Sequence, residues 1–193
     1  MRHKISEENL VRKLDIAFEQ VQRLETLVKD MLAFAKPLNL QCRHGKINSL
    51  LEEIVLLAGE KAVRQHSVAI VPELQEDMPD TRYDQHRLQQ ALLNLVNNAL
   101  EASPPGEKVV VRGRYDGSNI VIEVADRGEG IPQERQEEIF TPFVTTKKEG
   151  TGLGLPIVKK VIEAHKGSIV IAENKEKGVT FRITIPVTVD ECG

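Results

Sequence analysis

Eight apolar residues near the N-terminus fall on one unbroken heptad seam: Leu10, Leu14, Ala17, Val21, Leu24, Val28, Met31 and Ala35. Their spacing alternates between four and three, the period of a helix buried along a single stripe. Charged residues such as Arg12, Lys13, Glu19, Arg23 and Lys29 occupy the rest of the wheel. No glycine occurs before Gly45 and no proline before Pro37, so nothing interrupts the helix until Pro37 ends it. Ser6 and Asn9 offer capping chemistry at its start. At 1.5 Å per residue the seam would run ~38 Å. Its own chain offers little to cover a stripe that long. The spacing therefore predicts a meeting with other helices, most simply from a second copy, rather than a helix laid on the domain that follows.

At 193 residues the chain has room for one domain and a small appendage, since domains usually take roughly 100–200 residues. Lys and Arg total 26 against 29 Asp and Glu, a net charge of −3, which argues against a dedicated nucleic-acid binder. The apolar runs fall short of the ~18 residues of a membrane span, and no charged-then-apolar leader opens the chain. Cys42 and Cys192 lie far apart without metal-ligand spacing, so the chain reads as cytoplasmic and reduced.

After Gly45 the pattern changes. Helical spacing runs over 47–64, and 67–71 reads as a short strand. Asp84 is placed to cap a helix over 85–102 that Pro104-Pro105-Gly106 stops. Strand-like runs at 109–115 and 120–125 are joined by Asp116-Gly117-Ser118-Asn119, a hairpin signal. Pro156 fits the first turn of a helix to Ala164, and 167–172 with 179–185 form a final hairpin. Helices mixed with antiparallel strands imply an α+β, two-layer sandwich.

Three stretches carry chemistry. On the helix after Asp84, Leu88, Ala91, Leu92, Leu95, Ala99 and Leu100 make an apolar face, and Gln90, Asn94, Asn98 and Glu101 make a polar stripe beside it. Asn costs roughly 0.6 kcal/mol against Ala in a helix, so three in five residues is a poor choice for a merely wet face. A neutral amide instead offers oxygen to a metal or to phosphate-bound water without adding charge. Next, Asp126-Arg127-Gly128-Glu129-Gly130-Ile131-Pro132 follows a strand directly. A carboxylate there can accept from an exocyclic amine such as adenine's, and the glycines let backbone approach a flat ring. Finally, Lys147-Lys148-Glu149-Gly150-Thr151-Gly152-Leu153-Gly154-Leu155 feeds the helix at Pro156. Alternating glycines before a helix N-terminus present backbone N–H groups to an anion. The spacing is neither that of a dinucleotide fold nor that of a P-loop. Taken singly, the second motif could be an ordinary turn and the third a flexible connection.

In this order the motifs resemble the C-terminal region of a sensor histidine kinase of bacterial two-component signalling. Residues 94–99 are similar to the family's N box and 126–130 to its D-x-G-x-G box. Phe140-Thr141-Pro142-Phe143 is similar to its F box and 150–154 to its last glycine box. The likeness spans 46–187, implying a Bergerat-type ATP-binding fold. Residues 6–36 resemble the second helix of the family's dimerisation hairpin. The short stretch 143–147 looks most like the nitrogen-regulatory subgroup. The resemblance thus divides the chain into residues 1–44, half of the hairpin plus a linker, and residues 45–193, the catalytic domain.

It also implies roles. Asn98 would coordinate the magnesium bridging the ATP phosphates, with Asn94 supporting that shell. Asp126 would bind the adenine amine, and Gly128, Gly130 and Ile131 would line the base. Phe140 and Phe143 would anchor a lid carrying Thr145, Thr146 and Lys147 near the phosphates, which Gly150, Thr151, Gly152, Leu153, Gly154 and Leu155 would meet with backbone N–H groups. ATP and Mg2+ would be the ligands, a response-regulator receiver domain and a second copy the partners, and any membrane segment would lie upstream. Departures accompany the likeness. His3, His44, His66, His86 and His165 are followed by Lys, Gly, Ser, Arg and Lys, so none has the acidic neighbour of a phosphoacceptor, and self-labelling is not expected. Glu101 stands where many members carry a basic residue, and Val179 where many carry a hydroxyl.

Other readings of the same residues are an ATP-hydrolysing machine of this fold, an anti-sigma-type serine kinase, or a pseudo-kinase scaffold. The first needs a carboxylate to activate water, and Asn94 occupies that helix position with an amide.

Overall fold

The computed structural model describes residues 7–147, 150–172 and 177–187. Helix α1 (Glu7–Ala35) is followed by strand β1 (Arg43–Gly45), helix α2 (Ile47–Lys61), strands β2 (Ala69–Leu74) and β3 (Thr81–Tyr83), and helix α3 (Gln85–Ala102). Then come strands β4 (Lys108–Tyr115) and β5 (Asn119–Ala125), helix α4 (Gly154–Ala164), and strands β6 (Ser168–Ala172) and β7 (Thr180–Pro186). Ser6 and Cys192 lie outside the described residues.

Five strands form one sheet in the order β2-β4-β5-β7-β6, and β1 pairs with β3 in a separate antiparallel ribbon. Helices α2, α3 and α4 cover one face of the sheet, giving the two-layer α+β sandwich. Leu51 and Ile54 from α2, Leu92 and Leu95 from α3, and Val158 and Ile162 from α4 meet Ile120, Ile122 and Ile183 in the core. On the opposite face Glu123 is buried among arginines, accepting from Arg182 Nε at 2.7 Å and Arg114 at 3.4 Å.

Two expectations need correction. The sheet is not wholly antiparallel, because β2 runs parallel to β4 with Ile70 opposite Val109. That strand also starts at Ala69 rather than at 67, since Ser67 takes φ 52°, a left-handed turn out of the preceding helical segment.

Helix α1 leaves its seam uncovered over most of its length: Leu10, Leu14, Val21, Leu24, Val28 and Met31 are all exposed. Its C-terminal end touches the sandwich. Phe34 packs against the core, and Lys160 of α4 donates to the carbonyl oxygens of Phe34 and Lys36 at 2.5 and 2.7 Å. Among the described residues no helix is long and apolar enough to cross a membrane.

Candidate nucleotide site

Helix α3 is fixed at its start by Asp84, whose Oδ1 accepts from the Arg87 N–H at 3.0 Å. Its Oδ2 accepts from the Gln41 N–H at 2.8 Å, tying the linker to the same cap. The Asp84 N–H donates to Nε2 of buried His165 at 3.0 Å, while His165 Nδ1 lies 2.7 Å from the Val161 carbonyl oxygen. His165 is thus a neutral ring with its proton on Nδ1, and burial pushes its pKa down. These bonds set the rotation of α3. The apolar face is buried, and Gln90, Asn94 and Asn98 are half-buried beside exposed Glu101.

Asp126 leaves the end of β5 and is buried. Its Oδ1 accepts from the Gly128 N–H at 2.9 Å and the Val179 N–H at 3.0 Å, while its own N–H donates to the Val179 carbonyl oxygen at 2.9 Å. Among the described residues both hydrogen bonds to its carboxylate fall on Oδ1, so Oδ2 is placed to accept from a ligand. Burial raises the Asp126 pKa, and the two backbone N–H groups offset part of that rise. Gly178 makes the arrangement possible. It holds φ +107°, and a Cβ there would lie 2.1 Å from the Asp126 carbonyl oxygen. Gly128 and Gly130 follow in a turn that carries half-buried Ile131.

The two phenylalanines of 140–143 divide their tasks. Phe140 is half-buried and meets Phe181 edge-on at 6.4 Å between ring centroids, with the Lys159 ammonium 5.6 Å from its ring. Phe143 is 62% exposed and adopts φ 68°, so the structure seats only the first ring where the sequence suggested two anchors. The Phe143 N–H donates to the Gly152 carbonyl oxygen at 3.0 Å, holding the two stretches together. Gly152 accepts this proximity only because it lacks a side chain, for a Cβ would come 2.5 Å from the Phe143 carbonyl carbon.

Beyond Phe143, Thr145 and Thr146 are exposed, and Thr145 Oγ1 accepts from the Lys147 N–H at 3.1 Å. Lys147 Nζ reaches α3, 2.8 Å from Asn98 Oδ1 and 2.5 Å from Glu101 Oε2. Lys148 and Glu149 lie outside the described residues. Gly150 resumes the chain, and Thr151 Oγ1 accepts from the Leu153 N–H at 3.2 Å just before α4. Leu153 is buried, while a Cβ on Gly154 would meet nothing within 4 Å, so open space stands over the first turn of α4. The early amides of a helix have no intrahelical partner and attract anions. Among the described residues no group of three or more His, Cys, Asp or Glu is placed to hold a metal ion. A metal here would need ligand oxygens besides Asn98.

One polar helix face, one buried carboxylate and one helix N-terminus thus belong to a single layered frame. Residues 83–189 match the family described as histidine kinase-, DNA gyrase B-, and HSP90-like ATPase. The chain belongs to that family. Among curated relatives, sporulation kinase C of Bacillus subtilis (strain 168) is 31% identical over 91% of this chain. The chain spans 41% of that kinase's length. Full-length ShkA, crystallised with AMPPNP, superposes with a TM-score of 0.80 at 28% identity, covering 93% of this chain and 39% of that one. Histidine kinase ThkA, crystallised with the response regulator TrrA, gives 0.82 at 34% identity, covering 97% and 54%. The fold is that of a histidine kinase's ATP-binding catalytic region.

Several contributors were not legible beforehand. Gly178 and the Val179 N–H hold Asp126 through backbone alone, and sequence gives no sign of a backbone partner 53 positions away. Glu101 stood out as the end of the polar stripe and as a departure, with no sign that its carboxylate pairs with Lys147. Two cavities, of about 290 and 310 Å³, lie along Lys46–Asn48 with Glu76–Asp80, and beside β1 and Asp84, away from the predicted site residues.

Proposed function

We propose that this chain binds Mg-ATP and transfers the γ-phosphoryl group to a histidine carried on a dimerisation domain. The observation that carries the reading is Asp126: a buried carboxylate with one oxygen held by two backbone N–H groups and the other left to accept an amine. Adenine's exocyclic amine meets that oxygen, with Gly128, Gly130 and Ile131 beside the base. Gly150, Gly152 and Gly154 bring the phosphates to the start of α4, and Thr145, Thr146 and Lys147 face them from the neighbouring stretch. Phe143, exposed beside them, closes over the nucleotide.

The residues present suit magnesium. Asn98 Oδ1 already faces a cation, the Lys147 ammonium, and a neutral amide oxygen is a hard donor of the kind such an ion takes. Asn98 would hold the metal, with Asn94 one turn earlier supporting the shell. Bound magnesium supplies charge neutralisation across the phosphates. The chain's own contribution is positioning and a fixed field, without a covalent intermediate. Residues 1–44 serve as half of a dimerisation hairpin with a coiled-coil seam, and residues 45–193 as the catalytic domain. The partners are a second copy and a response-regulator receiver domain. The setting is cytoplasmic, and 143–147 resemble the nitrogen-regulatory subgroup.

Titration calorimetry with ATP and magnesium tests the site. Asp126→Asn and Asn98→Ala should both weaken binding, and unchanged affinity in both would remove the assignment. Phosphorylation of a separately supplied dimerisation domain, with no label on this chain, tests the transfer.

A further inference from the structure

Glu101 ends the polar stripe of α3, three residues after Asn98, and it alone on that stripe carries a charge. Its carboxylate and the Asn98 amide oxygen converge on one ammonium, Lys147 Nζ, at 2.5 and 2.8 Å. Lys147 is turned toward α3 by its own backbone: its N–H donates to Thr145 Oγ1, and its carbonyl oxygen accepts from the Gly150 N–H at 3.2 Å. The contact crosses 46 to 49 positions of sequence, so it closes the loop after Phe143 onto the helix. A lysine ammonium and a divalent cation seek the same hard oxygen and repel each other when adjacent.

We propose that Glu101 is a positioning residue that parks Lys147 on Asn98 until a metal–nucleotide arrives. The ammonium holds the place of the divalent ion, and magnesium-nucleotide binds by displacing it. Lys147 is thereby released toward the phosphates only when metal has taken its position. Metal-free nucleotide leaves Lys147 where it is. The inference rests on the reading that Asn98 faces the metal of Mg-ATP, and it adds an order of events to that site.

The test is calorimetry on the 193-residue chain with the non-hydrolysable analogue adenylyl imidodiphosphate, in magnesium and in EDTA. Glu101→Gln should bind the magnesium complex roughly two- to fivefold more tightly, the size of an exposed ion pair that no longer has to break. Its affinity for the metal-free analogue should stay unchanged. In a Lys147→Met background the same substitution should have no further effect on the magnesium complex. Amide exchange over residues 143–147, measured without nucleotide or metal, should quicken in Glu101→Gln. An equal or larger gain for the metal-free analogue would mean only that a repelling carboxylate had been removed, since the more highly charged ligand feels that more. That result overturns the proposal, as does a gain that persists without Lys147, or no gain at all. A wild-type chain that binds neither form removes the ATP-site reading itself, whereas wild-type binding with an indifferent Glu101→Gln removes this inference alone.

Discussion

Lys160 donates to the backbone carbonyl oxygen of Phe34 at 2.5 Å, so a side chain of α4 closes the C-terminal end of α1. The last carbonyls of a helix have no partner within it, and a cation placed there also meets the favourable end of the helix dipole. The same ammonium lies 5.5 Å from the Phe34 ring. Lys160→Met keeps the apolar stem and removes the charge. Amide exchange over residues 34–38 should then rise several-fold while global stability falls by about 1 kcal/mol or less. Unaltered exchange in that segment would show that the contact does not hold α1.

Asp126→Asn separates stability from recognition. The asparagine oxygen can still accept from Gly128 and Val179, but the buried charge is gone. Burial raises this carboxyl above its ordinary 3.8, so the folded chain binds its proton at a higher pH than the unfolded chain does. The stability cost is therefore absent below the ordinary value and complete above the raised one. At neutral pH the variant should melt at the same temperature or higher. Nucleotide affinity should fall about ten- to hundredfold, because an amide N–H₂ would face the adenine amine. Paired calorimetric and thermal scans check both halves.

His165 carries the opposite sign. Burial lowers its pKa below the ordinary 6.5, so the unfolded chain takes up its proton first. The contribution is complete above about pH 6.5 and is lost as pH falls from there through the folded value. His165→Leu should cost roughly 1–3 kcal/mol at pH 7.5 by leaving the Asp84 N–H without its acceptor. Chemical denaturation between pH 7.5 and 5.5 should show a shallower pH slope in the variant than in the wild type.

Two glycines with similar backbone angles should respond unequally to alanine. Gly117 has φ +99° with nothing within 4 Å of a Cβ, and Gly178 has φ +107° with the Asp126 carbonyl oxygen at 2.1 Å. Gly117→Ala should cost about 1 kcal/mol, the backbone strain alone. Gly178→Ala should cost about 3 kcal/mol or more, since the strand end must shift. Urea unfolding of the pair checks the difference, and equal losses would refute it.

The exposed seam of α1 predicts self-association. Leu24 is 61% exposed on that stripe, and Leu24→Asp should weaken a dimer by at least tenfold in sedimentation equilibrium. A wild-type chain that stays monomeric at high concentration counts against the second copy as the cover.

Much of this was readable from local pattern. The Asp84 cap, the two faces of α3 and the β4–β5 hairpin depend on neighbours within a few residues, and each formed as the spacing implied. The ribbon of β1 and β3 was not readable, because three-residue strands carry too little alternation to register. Nor was the parallel β2–β4 pairing, whose partners lie across an intervening helix. At the proposed site, side chains such as Asp126, Asn98 and Lys147 could be named from residue type, while the backbone that aims them could not. Phe140 and Phe143 look alike in sequence, and only the approach of Phe181 distinguishes them.

The backbone amide at Val179 ties the setting of Asp126 to the neighbouring strand. The amide lies 53 positions further along the chain and enters β7, which pairs with β5 from Ala125 to Asn119. A chain whose β7 has left the sheet therefore keeps the carboxylate and loses its setting. The acceptor proposed for adenine thus shares the local stability of one strand pair, and whatever loosens that pair loosens the acceptor with it.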